Sequence, residues 1–284
     1  CARSGVRPGP AALTLLMALA IVSVNFNHSA WLLPVALILY LILRIEAALA
    51  DALERGAALE IGLVTAAVCA LKSYLIPPVG AMLAGSVVWA LCVRRPQAAG
   101  RLSMAALYAA ALLAPWCISM YLSCKTPLFP ILGKGYHCSA YGLPVVTNLP
   151  LDAERWVRML SEWARVRVML LSATGVLLCA LLRARLPRPA LILTGASALT
   201  TLGIALLADG RWLERYAYSY TVPVLLCVMA ALVIAGGRRR IGTAAVFALA
   251  TAVVLHPSDY RYKGAPASLD LMFAQHRQMP PQVR

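Results

Sequence analysis

The chain has 284 residues, of which 61% are hydrophobic and only 13% charged, with a mean hydropathy of +0.77. That balance excludes an ordinary water-soluble domain and requires lipid as part of the solvent. The formal net charge of +15 sits in short breaks between apolar runs, not in a basic soluble domain. It therefore reads as membrane topology and contact with anionic membrane lipids, and argues against nucleic acid as a partner.

The sequence opens on Cys1 and runs straight into Ala2-Arg3-Ser4, which is no signal-peptide start. The expectation is that the amino-terminal part of a longer protein is missing. Apolar runs then occupy about 11–24, 30–43, 57–71, 75–93, 102–122, 166–182, 189–208, 217–235 and 241–255. Read one by one as spans, they predict an all-α polytopic bundle over 1–255 with about nine spans, followed by a non-cytoplasmic tail, 256–284. Several runs fall short of the ~20 residues of a straight span, and flanking charges such as Arg44 extend them by snorkelling.

Orientation follows from the short breaks. A cytoplasmic amino terminus places Arg3, Arg7, Arg44, Arg55, Arg94, Arg95 and Arg101 inside. Arg183, Arg185 and Arg188, then Arg238, Arg239 and Arg240, follow on the same side. The short outer breaks carry no basic residue (25–29), Lys72 alone, or Arg211 with Arg215. The whole-chain tally of basic residues is even, because the long loop and the tail are basic too. The positive-inside rule concerns short loops, so the breaks decide.

The outer face then owns the loop 123–165 and the tail. Within the loop, PLDAERWVRMLSEWARVR (150–167) predicts a helix over about 152–166. Pro150 suits a first turn, and Asp152 and Glu154 suit the positive end of the helix dipole. Trp156, Leu160 and Trp163 share one face, while Arg155, Arg158, Glu162 and Arg165 share another. This spacing fits a helix lying on the outer interface, and equally a helix packed over the bundle's mouth.

Cys69, Cys92, Cys117, Cys179 and Cys227 lie in or beside apolar runs, where a thiol is a small hydrophobe. Cys124 and Cys138 both fall in the outer loop and form a candidate disulfide, with free thiols as the alternative. His28, His137, His256 and His276 show no metal-ligand spacing, and no metal site is expected. No GxSxG, Walker A or GxGxxG stands in a strand-to-helix context.

The informative polar residues gather near the predicted outer surface. They are Lys72 just before Pro77-Pro78, Arg211 and Arg215 before Tyr216, Tyr218 and Tyr220, and Lys125 and Lys134 in the loop. A ring of Lys, Arg and Tyr at one membrane level suits an anionic lipid head group: Lys a point charge, Arg a forked donor, Tyr a hydroxyl and a stacking face. Snorkelling to phospholipid phosphates is the simpler alternative for Lys72, Arg211 and Arg215. The prolines, glycines and aromatics of 124–142 specify a shaped loop carrying Lys125, Lys134 and His137.

These residues carry a resemblance. Pro115-Trp116 at the end of a span, followed by KTPLFPILGKGYH (125–137), resembles the periplasmic loop of bacterial integral membrane glycosyltransferase-like proteins of the GT-C superfamily. ALKSYLIPPVGAML (70–83) is similar to their span ending in a basic residue near the outer surface, and Glu214-Arg215-Tyr216 is similar to their late Arg-Tyr motif. The resemblance covers the middle of the chain and implies a multi-pass protein of the bacterial inner membrane. It implies transfer of a sugar from a polyprenyl-phosphate donor on the periplasmic side, alongside envelope-biosynthesis partners. Lys72 and Arg215 would hold the lipid phosphate with Lys125, Lys134 and Arg211 near it, while Tyr136, His137 and Tyr218 would line the outer cavity. Such enzymes carry a catalytic Asp or Glu in the first outer loop, whereas the first outer break here, Asn25-Phe26-Asn27-His28-Ser29, has none. The expectation is that the missing amino-terminal part held this carboxylate, with a protein inactive in transfer as the alternative, so the catalytic residue is unassigned. A transporter or flippase of a lipid-linked or anionic substrate, and a non-catalytic scaffold of an envelope-polysaccharide complex, stand as alternatives.

Overall fold

The computed structural model describes residues 32–51, 56–124, 153–208, 213–235 and 238–255. Among these residues the chain forms nine helices: α1 (Leu32–Leu49), α2 (Ala57–Leu71), α3 (Ile76–Cys92), α4 (Pro96–Cys124), α5 (Ala153–Ala164), α6 (Arg167–Leu181), α7 (Arg188–Ala208), α8 (Leu213–Ile234) and α9 (Arg238–Leu255). The all-α expectation holds. The expectation of nine spans does not.

Among the described residues, four segments have both the length and the apolarity to cross a membrane: Ser73–Cys92, Pro96–Ser123, Arg188–Ala205 and Tyr216–Ile234. A fifth arises only if Trp156–Ala164 and Arg167–Leu181, bent by 59°, count as one broken span. Counting apolar runs overcounts spans because composition does not measure length. Ala57–Leu71 and Arg240–Val254 are apolar but short. The 15 residues of α2 reach only about 22 Å, against about 30 Å of hydrocarbon. The run 11–24, the loop 125–152 and the tail 256–284 lie outside the described residues.

Buried residues on all sides mark α8 as the core helix. Tyr220, Val222, Val224, Leu225, Val228, Met229 and Leu232 are all buried. A helix this apolar all round belongs inside a bundle. It packs on α1, α6, α7 and α9, and α1 contributes Ile38, Leu41, Ile42 and Ile45 to the same core. Close crossings use glycine: a Cβ on Gly62 of α2 would meet Tyr108 Cβ at 2.6 Å and the Ala105 carbonyl oxygen at 2.8 Å on α4. Small residues at helix crossings are how bundles pack in lipid, where hydrophobic burial between helices gains little.

One end of the bundle collects arginines and their partners. Arg95 and Arg101 approach Asp51 at 4.0 and 3.7 Å, Arg95 also donates to the Leu49 carbonyl, and Arg188 approaches Glu46 at 3.9 Å. Arg188 further stacks over Trp89, 5.7 Å from the ring centroid. On the flank of α1 and α2, Glu60 accepts from both Tyr40 and Arg44. Two turns at this end close with the backbone bonds Arg95 N–H to Ala90 and Ala184 N–H to Cys179, each 2.8 Å. Arg94 and Arg183 sit in the left-handed position of these turns, with φ 57° and 51°.

Candidate functional site

The break that presents Lys72 is written by Pro77-Pro78. Proline lacks the N–H that would continue a helix from α2, and its ring clashes with the carbonyl four residues back. The chain therefore leaves the helix at Lys72, which is extended (φ −157°, ψ 129°), makes a single 3-10 turn over Ser73–Leu75, and restarts as α3 with proline in its first turn. Ser73, Tyr74 and Leu75 become buried, and Lys72 stays half-buried at the rim.

Tyr74 organises what surrounds it. The Lys72 ammonium lies 5.6 Å from the Tyr74 ring centroid, a cation–π distance. The same ring meets Tyr216 edge to face, with centroids 5.1 Å apart and planes at 75°. Its hydroxyl lies 3.1 Å from Ser219 Oγ, in a buried bond. Residues 216, 219 and 220 are three and four apart on α8 and share a face. Tyr220 continues the set inward: its hydroxyl is 2.8 Å from Thr201 Oγ1 of α7, and Thr201 Oγ1 itself donates to the Ser197 carbonyl at 2.7 Å. A threonine hydroxyl has one hydrogen, so Tyr220 is the donor to Thr201.

The sequence-predicted residues distribute as follows. Lys72 is described and joins the first turns of α8 through Tyr74 and Tyr216. Arg215 occupies the helical position just before Tyr216, and only its backbone is described. Tyr218 is buried in α8 beside Ser219. Arg211, Lys125, Lys134, Tyr136, His137 and Cys138 lie outside the described residues, as does the Cys124 side chain. Cys69, Cys92, Cys117, Cys179 and Cys227 are free, and Cys69, Cys179 and Cys227 are buried as small hydrophobes. Among the described residues no three His, Cys, Asp or Glu side chains gather as metal ligands.

Sequence reasoning singled out Lys72 and the α8 tyrosines but missed Ser219 and Thr201. Their signal was present: a hydroxyl inside an apolar helix of a membrane bundle needs a partner, and here the partners are tyrosines. It also missed Glu46, Asp51 and Glu60 as partners of the arginine end. No family model matches the chain, and neither the curated proteins nor the solved structures contain a match.

Proposed function

We propose that this protein is an integral membrane glycosyltransferase-like protein that holds a polyprenyl-phosphate-linked sugar at the end of the bundle carrying Lys72 and Arg215. The observation that carries the reading is the Tyr74 contact set: one ring touches the Lys72 ammonium and meets Tyr216, the neighbour of Arg215. The Tyr74–Tyr216 ring contact thus links the turn that carries Lys72 to the first turns of α8, where Arg215 stands, although the two segments are far apart in sequence. An ammonium and a guanidinium there suit a phosphate head group, whose leaving charge cations stabilise during transfer. The proposed setting is a bacterial cytoplasmic membrane, with Lys125, Lys134, Arg211, Tyr136 and His137 approaching the same head group from the outer side.

A second reading, a scaffold that binds the lipid without transferring sugar, draws on three described carboxylates, Glu46, Asp51 and Glu60, which are engaged by arginines away from the Lys72 turn, and on Glu162 of α5, which is paired with Arg165. The test is the protein in nanodiscs, challenged with polyprenyl phosphate and, as a generic phosphomonoester lipid, dioleoyl phosphatidate. Preferential thermal stabilisation by polyprenyl phosphate, lost in Lys72→Gln, supports the site, and indifference to both lipids overturns it. Transfer of a labelled sugar from polyprenyl-phosphate donors then separates the enzyme from the scaffold.

A further inference from the structure

Helix α5 has more apolar surface than the bundle covers. At about 100° per residue, Met159 and Trp163 fall in one narrow sector of its circumference. Met159 is fully buried there, and Trp163 Nε1 donates to the Ala198 carbonyl of α7 at 3.0 Å. The adjoining sector holds Trp156, Leu160 and Val157, which are 38%, 43% and 68% exposed. The third sector is polar, with Glu154, Arg158, Ser161, Glu162 and Arg165, tied by Arg165–Glu162 at 3.4 Å and by Ser161 Oγ donating to the Arg158 carbonyl at 2.7 Å. The order around the helix is therefore bundle, uncovered apolar strip, charge.

The strip's surroundings follow from the chain. After Arg165 and Val166 the backbone enters α6, which is apolar, and the two helices meet at 59°. The 12 residues of α5 span about 18 Å and gain only about half of that along the direction of α6. Such a bend fits either one broken span or a helix inclined along the membrane surface, and the charged sector of α5 favours the surface, since charges inside the hydrocarbon are costly. Tryptophan is the side chain most at home at that depth, and the charged sector lies where water and head groups are.

We propose that α5 docks into the head-group–acyl boundary of the bilayer through Trp156, Val157 and Leu160, while Trp163 rivets the same helix to α7. The occupant of the uncovered strip is lipid, and α5 holds the bundle edge at a fixed membrane depth. Lipid contact at α5 does not depend on what Lys72 binds.

The full-length protein in phosphatidylcholine–phosphatidylglycerol nanodiscs tests it, with nitroxides at Val157→Cys, Leu160→Cys and Arg158→Cys after replacing the native cysteines by alanine. At 157 and 160, collisions with oxygen should exceed those with a water-soluble nickel chelate, and at 158 the order should reverse. Greater nickel access at 157 overturns the proposal, as does protection from both reagents, which would mean that a protein partner or a second copy covers the strip. If the cysteine-free protein does not fold, brominated lipids can be applied to the parent and to Trp156→Phe with all cysteines present. Quenching of the parent-minus-variant emission supports the proposal, and an unquenched difference refutes it.

Discussion

Glu46 accepts a hydrogen bond from the backbone N–H of Arg188 at 2.8 Å, so a carboxylate on α1 caps the first turn of α7. The same carboxyl approaches the Arg188 guanidinium at 3.9 Å. Helix starts leave backbone N–H groups without intrahelical acceptors, and a negative charge there also meets the positive end of the dipole. Glu46→Ala should therefore lower stability by about 1 kcal/mol. Glu46→Gln, which keeps an acceptor, should recover most of it. Arg188→Ala should cost less, since a partly exposed ion pair contributes about 0–1 kcal/mol. Thermal unfolding in detergent checks the order, and an Arg188→Ala loss larger than that of Glu46→Ala would show that the pair outweighs the cap.

Gly62 and Gly80 make a matched test of crossing distance. A methyl at Gly62 meets the Ala105 backbone oxygen at 2.8 Å, which cannot move aside as a side-chain tip would, whereas Gly80 has nothing within 4 Å. Gly62→Ala should destabilise by about 1–3 kcal/mol through overpacking. Gly80→Ala should be neutral or gain up to about 1 kcal/mol from helix propensity. Equal effects in the same unfolding assay would mean that α2 and α4 separate without cost.

Arg183 pays for its left-handed backbone, φ 51°, because a Cβ crowds the carbonyl in that region. Arg183→Gly should raise stability by about 1 kcal/mol. A lower melting temperature would assign the Arg183 side chain a contact that outweighs the strain.

The arginine end should face the cytoplasm, because the basic residues of the short breaks concentrate there. Single cysteines at Arg94 and Ser123, both exposed, report opposite ends of the span Pro96–Ser123. An impermeant maleimide added to intact cells should label position 123 and spare 94. The reverse pattern would invert the orientation and move Lys72 to the inner surface.

What was legible in the sequence was periodic or local. The α5 helix could be read because its charged and apolar residues fall in separate sectors. The Lys72 break could be read because two adjacent prolines cannot continue a helix. Span number could not, since a run such as 57–71 or 241–255 has the composition of a span yet folds as a helix too short to cross alone. Partner choice was hidden as well. Tyr74 and Ser219 are 145 residues apart and Glu46 and Arg188 are 142 apart, so only the packing of the Ser73–Leu75 turn on α8 and of α1 on α7 decides that they meet.

Substitutions at position 74 separate the ring of Tyr74 from its hydroxyl. Tyr74→Phe keeps the surface that Lys72 and Tyr216 touch and removes the hydroxyl that bonds Ser219. It should cost about 0.5–1.5 kcal/mol of stability and leave polyprenyl-phosphate binding near parental. Tyr74→Ala removes the ring, so Lys72 loses its cation–π support and the turn loses its contact with α8; binding should fall along with stability. Arg215→Ala should weaken binding about ten- to a hundredfold, because a charge-assisted contact contributes about 1.5–3 kcal/mol. Arg215→Lys should recover only part, since the forked geometry is lost. Titration of polyprenyl phosphate in nanodiscs, read by thermal shift, measures all four variants. If Tyr74→Phe abolished binding while Arg215→Ala bound at the parental level, the phenol and not the cations would be the recognition element, and the phosphate site proposed at this end of the bundle would fall.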